Sequence, residues 1–554
     1  MKLRFNIILL LVLLVFITLP KALDAQVSSG GVPKSFTLAL PPDTTAGMVV
    51  TPPATDGLLQ EDALNPRPYR FAVNIPVEAG IDHSGHWIKT SDGSNVWRLN
   101  VQSPGALAMT LYFDRFNLPE GGKLFVYNPQ RTQVIGAFTS MNNNNLSTFA
   151  TALIYGDHLT LEYNAPEGIS VPEIHIAEVA YAYRGVTDYS SRKIDFGGSG
   201  PCEVNVNCPE GSNWQMEKRS VTRITVKRGG SSLWCTGSLI KNVRNDRKPY
   251  ILTADHCGNK SSVTDLSQWI FYFNYEGAGC PDPTTEPPLK SITGATLVAH
   301  GGNEASTGSD FFLVLLKSAI PDSYNVSFNG WSRETAQPSP SGTTIHHPQG
   351  DIKKISTYTT PLQPAHWSGN PALAHWRVTW TGTPSGHGTT EGGSSGSPLF
   401  DNYGRLVGTL TGGDSGCDSA ALNLPDYYGM FSYSWDKNGT DSVNILKCWL
   451  DPDNTGVMTL NGNGLPVGEP VENEWVKIFP NPVKDQLNII SSSVAGTSLH
   501  LTIYDIWGKL CRKYDWNASQ DQQVLIDLSE LAAGMYTVSI SDGNRKVVRK
   551  VIKQ

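Results

Sequence analysis

The chain has 554 residues, which as a rough guide is enough for about three or four domains with hydrophobic cores of their own. Only 17% of the residues are charged and the formal net charge is −7, so nothing points to nucleic acid or an anionic membrane surface as a partner. The 53 glycines and 36 prolines are typical of β-rich domains with many turns.

The first 25 residues have the features of a secretory signal peptide. Lys2 and Arg4 precede the apolar run 7–19, and the small residue Ala25 is suited to cleavage. The run is too short for a transmembrane helix. We find no other segment able to span a bilayer, so we expect a secreted or cell-surface protein without stable membrane insertion.

The sequence between the signal peptide and residue 184 divides into two parts. The segment 26–66 is rich in Pro, Gly, Ser and Thr, which predicts an extended lead-in without a core. From residue 69 onward, short alternating stretches are broken by turns. This pattern predicts an antiparallel β-sandwich with strands at 71–75, 96–101, 108–116, 123–127 and 159–163.

The cysteines are placed unevenly along the chain. Of the eight, none occurs before Cys202, six lie between Cys202 and Cys417, and Cys448 and Cys511 stand apart. An even set within one region of an exported protein is typical of a disulfide framework. The spacing alone leaves every pairing of the six cysteines open.

Three stretches between residues 250 and 400 together predict a nucleophilic site. Ser395 lies in a glycine-rich turn before an apolar run, a setting that can expose a hydroxyl beside free backbone N–H groups. His256 follows an apolar stretch typical of a buried strand, and Asp310 directly precedes another such stretch. Each residue alone is more often a turn, core or cap residue. Their order and contexts are those of the chymotrypsin-type triad.

These motifs resemble those of the secreted bacterial lysyl endopeptidases, which are chymotrypsin-fold serine proteases that cleave after lysine. The resemblance also includes the stretches 235–240 and 346–348, and it covers residues 197–464. It implies a mainly β fold with a double β-barrel protease domain over that range. It implies no cofactor.

The resemblance also implies a role for each residue of the site. Ser395 would be the nucleophile, His256 the general base, and Asp310 the carboxylate that orients the imidazole. The N–H groups of Gly393 and Ser395 would form the oxyanion hole. Asp255 adds a second carboxylate beside His256, and the sequence leaves open whether it acts on the imidazole or faces solvent.

A lysine pocket with Asp426 at its base is implied in the same way. The position that carries this charge in trypsin-like enzymes, six residues before the nucleophile, holds Thr389. A buried carboxylate favours a cation, and ammonium and guanidinium groups differ in the space and hydrogen bonds they need. Trp367 matches a cleft tryptophan of the family, but Thr411 stands where the family has its histidine companion. A role for Trp367 as a plain hydrophobic wall therefore stays open.

Several other residues are assigned through the resemblance or considered as ligands. The implied disulfides are Cys202–Cys417, Cys208–Cys280 and Cys235–Cys257, which leaves Cys448 and Cys511 as free thiols. Five histidines follow one another at irregular spacing: His346, His347, His366, His375 and His387. They fit no strong zinc motif, since no cysteine ligand or HExxH helix accompanies them, so we expect no metal site.

The region before the cysteines lies where the lysyl endopeptidases carry a propeptide, which its stretches 97–101 and 111–128 resemble. Residues 26–196 would then be a removable folding aid and inhibitor, with a permanent carbohydrate- or protein-binding module as the alternative. Lys193 precedes the junction 194–200, where a lysine-specific enzyme could cut its own chain. Ser394 replaces the aspartate used in trypsin-type activation, so latency would depend on the propeptide covering the site.

A Gly/Pro linker at 462–470 opens the last region, 465–554, whose alternating strands predict a small Ig-like β-sandwich. Its Pro-Asn-Pro opening, Gly-x-Tyr strand and basic end resemble the C-terminal sorting domain of type IX secretion. The resemblance implies that machinery as a partner and export across the outer membrane. The alternatives are a substrate-binding module and, for the basic run, a solvated strand face.

The whole pattern predicts a secreted serine endopeptidase that acts on protein or peptide substrates, with lysine before the cleaved bond. We expect a monomer. Two alternatives remain at this point: a serine protease of other primary specificity, for arginine or mixed, and a catalytically silent binding protein with a protease fold.

Overall fold

The computed structural model describes residues 28–40, 47–185, 198–464, 476–479, 483–491, 498–505, 509–517, 523–542 and 546–553. The signal peptide and Lys193 lie outside these residues. Over the described ranges, no helix is both long and apolar enough to cross a membrane. The chain divides into two compact units, Met1–Leu465 and Pro466–Gln554.

The predicted N-terminal sandwich is confirmed, and each of its five expected strands is present. Alternating side chains of its two sheets, such as Trp97, Leu111 and Leu161, enclose one hydrophobic core. One sheet has six strands: Met48–Val49, His86–Lys89, Asn95–Gln102, Lys123–Tyr127, Val134–Phe138 and His158–Ala165. The strands of the other are Tyr69–Gly80, Ala108–Asn117, Phe149–Ala150, Ile154–Tyr155 and Glu173–Ala182.

The expectation of a coreless lead-in at 26–66 is wrong for the residues that the structure describes there. Two helices form, Lys34–Thr37 and Thr55–Leu64. Met48 pairs with Val101 of the sandwich, and Val50 is buried in the sandwich core. The many Pro, Gly, Ser and Thr residues disfavour an independent core, but the neighbouring sandwich sheet provides the apolar surface against which Val50 is buried.

The second sandwich sheet continues into the protease region. Tyr69–Gly80 pairs with Ser231–Ile240, which gives a sheet of twelve strands. The protease strands of this sheet form the first β-barrel: Val221–Arg228, Ser231–Ile240, Tyr250–Thr253, Ile270–Phe273, Lys290–Thr293, Ala295–Gly301 and Phe311–Leu316. Its interior contains Ile224, Ile251 and Val314.

The second β-barrel is built from a sheet of ten strands, so the predicted mainly β, double-barrel fold is confirmed. Its core contains Trp376, Leu399 and Tyr428. The strands are Val204–Asn205, Trp331–Ser332, Gly342–His346, Lys354–Tyr358, Gln363–Ala365, His375–Val378, Pro398–Phe400, Leu406–Gly413, Asp426–Met430 and Thr459–Leu460. Ser327–Phe328 pairs separately with Asn463–Gly464.

Helices are short throughout the described residues after Leu64. The α-helices are Asp255–Gly258, Val263–Leu266, Phe431–Asp436 and Lys447–Leu450. The 3-10 helices are Ser140–Asn142, Pro209–Gly211, Glu217–Arg219, Asp322–Tyr324, Pro348–Gly350 and Ser442–Asn444.

The C-terminal unit has two sheets and a core of its own, in agreement with the predicted small sandwich. Leu487, Leu501, Ile503 and Val538 are buried in that core. The three-stranded sheet contains Val476–Phe479, Gln486–Ser491 and Gln523–Asp527, and the four-stranded sheet contains Ser498–Tyr504, Leu510–Asn517, Gly534–Ser541 and Lys546–Lys553.

Candidate active site

His256 and Asp310 lie on neighbouring elements of the first barrel. His256 lies in the helical turn Asp255–Gly258, which follows strand Tyr250–Thr253. Its Nδ1 is 2.8 Å from Asp310 Oδ2, and its backbone N–H donates to Asp310 Oδ1 at 2.9 Å. Because an ionised carboxylate only accepts hydrogen bonds, this pair places the imidazole proton on Nδ1 and leaves Nε2 as the basic atom.

Asp310 is fully buried and has a φ of 58°, a left-handed conformation that is rare for a residue with a side chain. Such strain costs on the order of 1–3 kcal/mol and persists only where the surroundings hold it. His256 Nε2 is buried and has no hydrogen-bond partner among the described residues. The pair therefore presents an unused base.

Ser395 lies in the turn before strand Pro398–Phe400, against the segment that leads to His256. Its carbonyl oxygen accepts a hydrogen bond from the Thr236 N–H at 2.8 Å. The next residue, Gly396, has a φ of +81°, and a Cβ there would lie 2.7 Å from the Ala254 backbone nitrogen. The close approach requires glycine, and it brings the turn of Ser395 to the turn of His256.

Among the described residues, the backbone N–H groups proposed for the oxyanion hole donate no hydrogen bond, whereas the N–H groups of the neighbouring residues Ser394 and Gly396 do. The Ser394 N–H donates to the Glu391 carbonyl at 3.0 Å, and the Gly396 N–H donates to the Leu410 carbonyl at 2.8 Å. Within the described part of the chain, the N–H groups of Gly393 and Ser395 have no acceptor. The Thr236 hydroxyl donates to the Gly393 carbonyl at 3.0 Å and so fixes this peptide.

A buried histidine, His346, contacts the turn that contains Ser394 and Ser395. His346 Nδ1 lies 2.8 Å from the Ser394 hydroxyl, and its Nε2 lies 3.1 Å from the Ser356 hydroxyl. Burial lowers the pKa of His346 to about 3, so the ring is neutral. From the sequence, His346 belongs to the family-like stretch 346–348 and to the histidines considered as ligands, without a contact to the turn of Ser395. Its position next to Ser394 depends on the pairing of distant strands.

Asp255 faces neither the imidazole of His256 nor open solvent. Its Oδ1 lies 2.8 Å from His300 Nδ1, and its Oδ2 accepts from the Glu304 N–H at 2.9 Å. Burial raises the pKa of Asp255, and the hydrogen bond with Asp255 raises the pKa of His300. Asp255 therefore anchors the loop that contains His300 and Glu304.

Asp426 is fully buried at the start of strand Asp426–Met430 and is surrounded by donors. Its Oδ2 accepts from Trp380 Nε1 at 2.6 Å and from the hydroxyls of Thr390 and Ser415 at 2.7 Å each. Among the described residues, its Oδ1 accepts only from the Ser415 N–H, at 3.3 Å. Burial raises the pKa of Asp426. The hydrogen bonds to its carboxylate act in the opposite direction but do not cancel this effect. Thr389, the residue at the trypsin position, instead donates to Glu203 at 3.1 Å.

Trp367 lies beside His375 and Tyr427, with ring centroids 6.2 and 5.5 Å away. His375 Nε2 lies 3.1 Å from the Thr411 hydroxyl. Burial lowers the pKa of His375 to about 4, so this ring is neutral as well. Thr411, in strand Leu406–Gly413, therefore contacts a histidine that belongs to another strand, His375–Val378. This contact could not be predicted from the sequence, because no local pattern connects residues 367, 375 and 411.

Two of the other histidines considered as ligands have separate partners. His347 Nδ1 lies 2.8 Å from the Asp351 carbonyl, and His387 Nδ1 lies 3.0 Å from the Gly388 carbonyl. Across the described ranges, His, Cys, Asp and Glu side chains form no group of three or more suited to a metal ion.

The disulfide bonds of the structure are the pairs that the resemblance implies: Cys202–Cys417, Cys208–Cys280 and Cys235–Cys257. The last of these joins strand Ser231–Ile240 to the residue after His256, and so holds the base to the barrel. Cys448 and Cys511 are free.

Comparison with known proteins gives matches to three family models. Residues 196–429 match "Lysyl endopeptidase, C-terminal domain", residues 72–180 match "Lysyl endopeptidase N-terminal domain", and residues 477–554 match "Secretion system C-terminal sorting domain". A lysyl endopeptidase of Pseudomonas aeruginosa strain PAO1 is 28% identical over 362 residues, which cover 62% of this chain and 75% of the relative.

Solved structures similar to this chain include two proteases. Protease Anisep from Arthrobacter nicotinovorans has 16% identity and a TM-score of 0.29, and covers 39% of this chain and 91% of its own. The thermostable serine protease AL20 from an extremophilic microorganism has 14% identity and a TM-score of 0.27, and covers 39% of this chain and 92% of its own.

Proposed function

Since the chain is a serine endopeptidase that combines the two domains of a lysyl endopeptidase with a type IX secretion sorting domain, we propose that it hydrolyses peptide bonds after lysine through a triad of His256, Asp310 and Ser395. The sorting domain directs export across the outer membrane by the type IX machinery. The single observation that carries the lysine proposal is the arrangement of donors around Asp426.

The proposed reaction is acyl transfer. His256 Nε2 takes the proton of the Ser395 hydroxyl as Oγ attacks the carbonyl carbon, and later gives the proton to the leaving amine. Asp310 holds the ring and stabilises its cationic form. The free N–H groups of Gly393 and Ser395 receive the developing oxyanion, and donors of this kind are worth about 3–4 kcal/mol each. An acyl-enzyme forms and is hydrolysed by water through the same steps.

The donors around Asp426 favour an ammonium over a guanidinium. Oδ2 already accepts three hydrogen bonds, from Trp380, Thr390 and Ser415. A guanidinium binds a carboxylate best through both oxygens at once, which the crowded Oδ2 does not allow. A compact ammonium needs separate acceptors for three N–H bonds. Oδ1 and the lone pairs of the two hydroxyls that donate to Oδ2 supply them.

The burial of Asp426 adds a charge argument. Burial raises its pKa, so the ionised carboxylate is costly while no cation is bound. A substrate ammonium in the pocket would offset that cost, and a neutral side chain would not. Residues with long neutral side chains are therefore poor substrates in this proposal.

We assign the regions accordingly, with residues 26–196 as a removable propeptide, 197–464 as the protease and 465–554 as linker and sorting domain. A role of the propeptide in folding is supported by the sheet that it shares with the first barrel. Phe71 of the propeptide stacks on Trp234 of the protease at 4.1 Å, and both are buried. Such a contact buries a large aromatic side chain from each region.

The test of the lysine proposal is Asp426→Asn. The substitution keeps an acceptor oxygen for the surrounding donors but removes the charge. Leaving a buried charge unpaired costs about 3–5 kcal/mol, so turnover of a lysyl ester should fall by roughly hundreds- to thousands-fold at about 1.36 kcal/mol per decade. An ester with a neutral side chain should lose much less. Asp418→Asn, an exposed carboxylate in the same sequence region, is the matched control.

Equal losses on both esters would mean that Asp426 supports the site in general, and the lysine proposal would fall. Mass spectrometry of the peptides cut from a denatured protein mixture would then report the true specificity. Labelling by a serine-directed organophosphonate, lost in Ser395→Ala, separates a working protease from a silent binding protein.

A further inference from the structure

The chain between helix Thr55–Leu64 and strand Tyr69–Gly80 contacts two segments whose residues also contact Asp426. On one side, Arg67 Nη2 donates a hydrogen bond to the Gly413 carbonyl. The Arg67 guanidinium lies against Gly412, where any side chain would collide with it. Its Cζ is also 5.8 Å from the centroid of the Trp367 ring, within the range of a cation–π contact.

Two residues further on, Tyr69 reaches the opposite side of the pocket. Its ring lies against Gly392, where a Cβ would overlap it. Its hydroxyl donates to Gln349 Oε1 at 3.3 Å, and the Arg184 guanidinium covers the ring at 4.3 Å. Tyr69 therefore contacts the residue directly before Gly393, whose N–H is proposed for the oxyanion hole.

Both contact points lie in segments that form the surroundings of Asp426. Gly413 is the cross-strand partner of Asp426, and so belongs to one wall. The other wall contains Thr390, which donates to Asp426 and lies two residues before Gly392. A segment fixed to Gly413 and to Gly392 spans the entrance between the walls.

The crossing segment does not occupy the pocket as a substrate would. The hydrogen-bond partners of the Asp426 carboxylate are Trp380, Thr390 and Ser415, and the described residues place no cation on it. The positive charge of Arg67 is bound outside, by a carbonyl oxygen and an indole.

We propose that residues 67–69 form an autoinhibitory strap, which closes the entrance of the Asp426 pocket while leaving the pocket without a cation. The proposal rests on the function proposed above for Asp426 and Ser395. A lysine side chain cannot enter beneath the strap, and the strap offers no ammonium to the pocket, so it is a cover and not a substrate.

The strap is tethered at both ends, which explains how it holds its place. Its last residue, Tyr69, pairs with Trp234 as the first residue of strand Tyr69–Gly80. Before it, the helix Thr55–Leu64 is tied back by Arg70, which binds Glu61 and Asp62 at 2.9 Å each. Arg67 itself is exposed, so the middle of the strap can lift without unfolding either tether.

The experiment labels the full-length protein with a fluorescent diphenyl phosphonate that has an aminobutyl side chain. Ser395 displaces phenoxide from phosphorus, so the rate reports access of an ammonium side chain to the pocket. A denaturing gel separates the intact chain from cleaved forms. Arg67→Ala loses a charge-assisted hydrogen bond and a cation–π contact, and labelling of the intact chain should rise about tenfold. Arg67→Ala with Tyr69→Ala should raise it further.

Arg131→Ala is the matched control, because Arg131 is another exposed arginine of the N-terminal region and lies over the Phe36 ring at 4.2 Å. Its labelling rate should equal that of the parent. Cleaved enzyme that labels, together with an intact chain whose rate does not change in Arg67→Ala, would overturn the strap and leave the proposed function standing. Should neither form label above the Ser395→Ala blank, the proposed function fails instead. If the double variant does not accumulate, the labelling rate of Arg67→Ala alone tests the proposal, because Arg67 is exposed and its loss should not prevent folding.

Discussion

The N-terminal and C-terminal regions are both β-sandwiches, but the first shares a sheet with the protease and the second is a separate compact unit. The N-terminal one extends its sheet into the first barrel through Tyr69–Gly80 and Ser231–Ile240. The N-terminal sandwich and the first barrel also share a buried cluster, in which Phe71 and Tyr112 contact Trp234 and Tyr272. The C-terminal one is a compact unit with its own core.

The difference shows what each attachment is suited to. A sheet that crosses the boundary cannot be removed without exposing an edge strand and large aromatic side chains such as Trp234, which is 1% exposed here. A unit with a complete core of its own does not need another region to bury its apolar side chains. The first arrangement fits a folding aid and cover, and the second fits a sorting signal.

Deletion of each sandwich gives the largest expected contrast. A chain without residues 26–196 should yield no folded protease, since strand Ser231–Ile240 would fold without its partner. A chain without residues 472–554 should remain in the periplasm with its protease folded and its disulfides formed. Resistance to added protease and labelling of Ser395 measure both. Loss of the folded protease on C-terminal deletion would make that sandwich structural and remove the contrast.

Local pattern predicted the parts of the site that chain neighbours determine. Ser395 was found from its glycine-rich turn, and His256 and Asp310 from the apolar strands beside them. The structure brings His256 and Asp310 together and puts the turn of Ser395 against that of His256. The five N-terminal strands were found from alternation, because one face of each is buried.

The parts that the sequence did not predict depend on contacts between distant residues. Ala72 pairs with Ser232, and no local signal in either strand specifies the other. The segment before residue 67 was expected to be coreless, because its composition does not show that another region's sheet covers Val50. The contact of His375 with Thr411 likewise follows from the pairing of strands and not from spacing.

Lys193→Gln separates the covalent link between sandwich and protease from their packing. Lys193 lies outside the described residues, and the expectation follows from the proposed specificity. Gln offers no ammonium to Asp426, so cleavage at this bond should fall by roughly hundreds-fold or more, as for other losses of a buried ion pair. Mature enzyme should appear more slowly, as followed by gel. Unchanged processing would point to another protease or another bond.

Phe71→Ala tests the shared core against its C-terminal counterpart, Ile503→Ala, in a Ser395→Ala background that prevents self-digestion. Both side chains are fully buried. A large-to-small change costs about 3–5 kcal/mol for Phe and about 2–5 kcal/mol for Ile. Phe71→Ala should lower the melting temperature of the protease, and Ile503→Ala only that of the sorting domain. A protease transition that is unaffected by Phe71→Ala would show that the two regions unfold independently.

The smallest expected effect is a pH dependence of the attachment between the N-terminal sandwich and the protease. It comes from one carboxyl group, that of Glu286, which lies where these two regions meet. Glu286 of the protease accepts from the Tyr155 hydroxyl of the N-terminal sandwich at 2.5 Å and from Tyr275 at 3.5 Å. Burial of the carboxyl group raises its pKa to about 7, although Tyr155 and the Arg223 charge act against the shift. Because the pKa is raised in the joined state, the protonated form favours joining. This contribution is fully present below the ordinary carboxyl pKa and is lost as the pH rises through about 7.

The N-terminal sandwich, once cut from the protease, should therefore dissociate more readily at pH above about 7 than in mild acid, by up to about a hundredfold at 1.36 kcal/mol per pKa unit. Gel filtration of the cut Ser395→Ala protein across this pH range measures the dissociation. Glu286→Gln keeps the Tyr155 hydrogen bond without a titrating group, so its dissociation should depend much less on pH. If affinity in the parent protein stayed constant or rose with pH, Glu286 would not be coupled to the attachment. The contrast between the two sandwiches would then depend on the shared sheet and aromatic cluster alone.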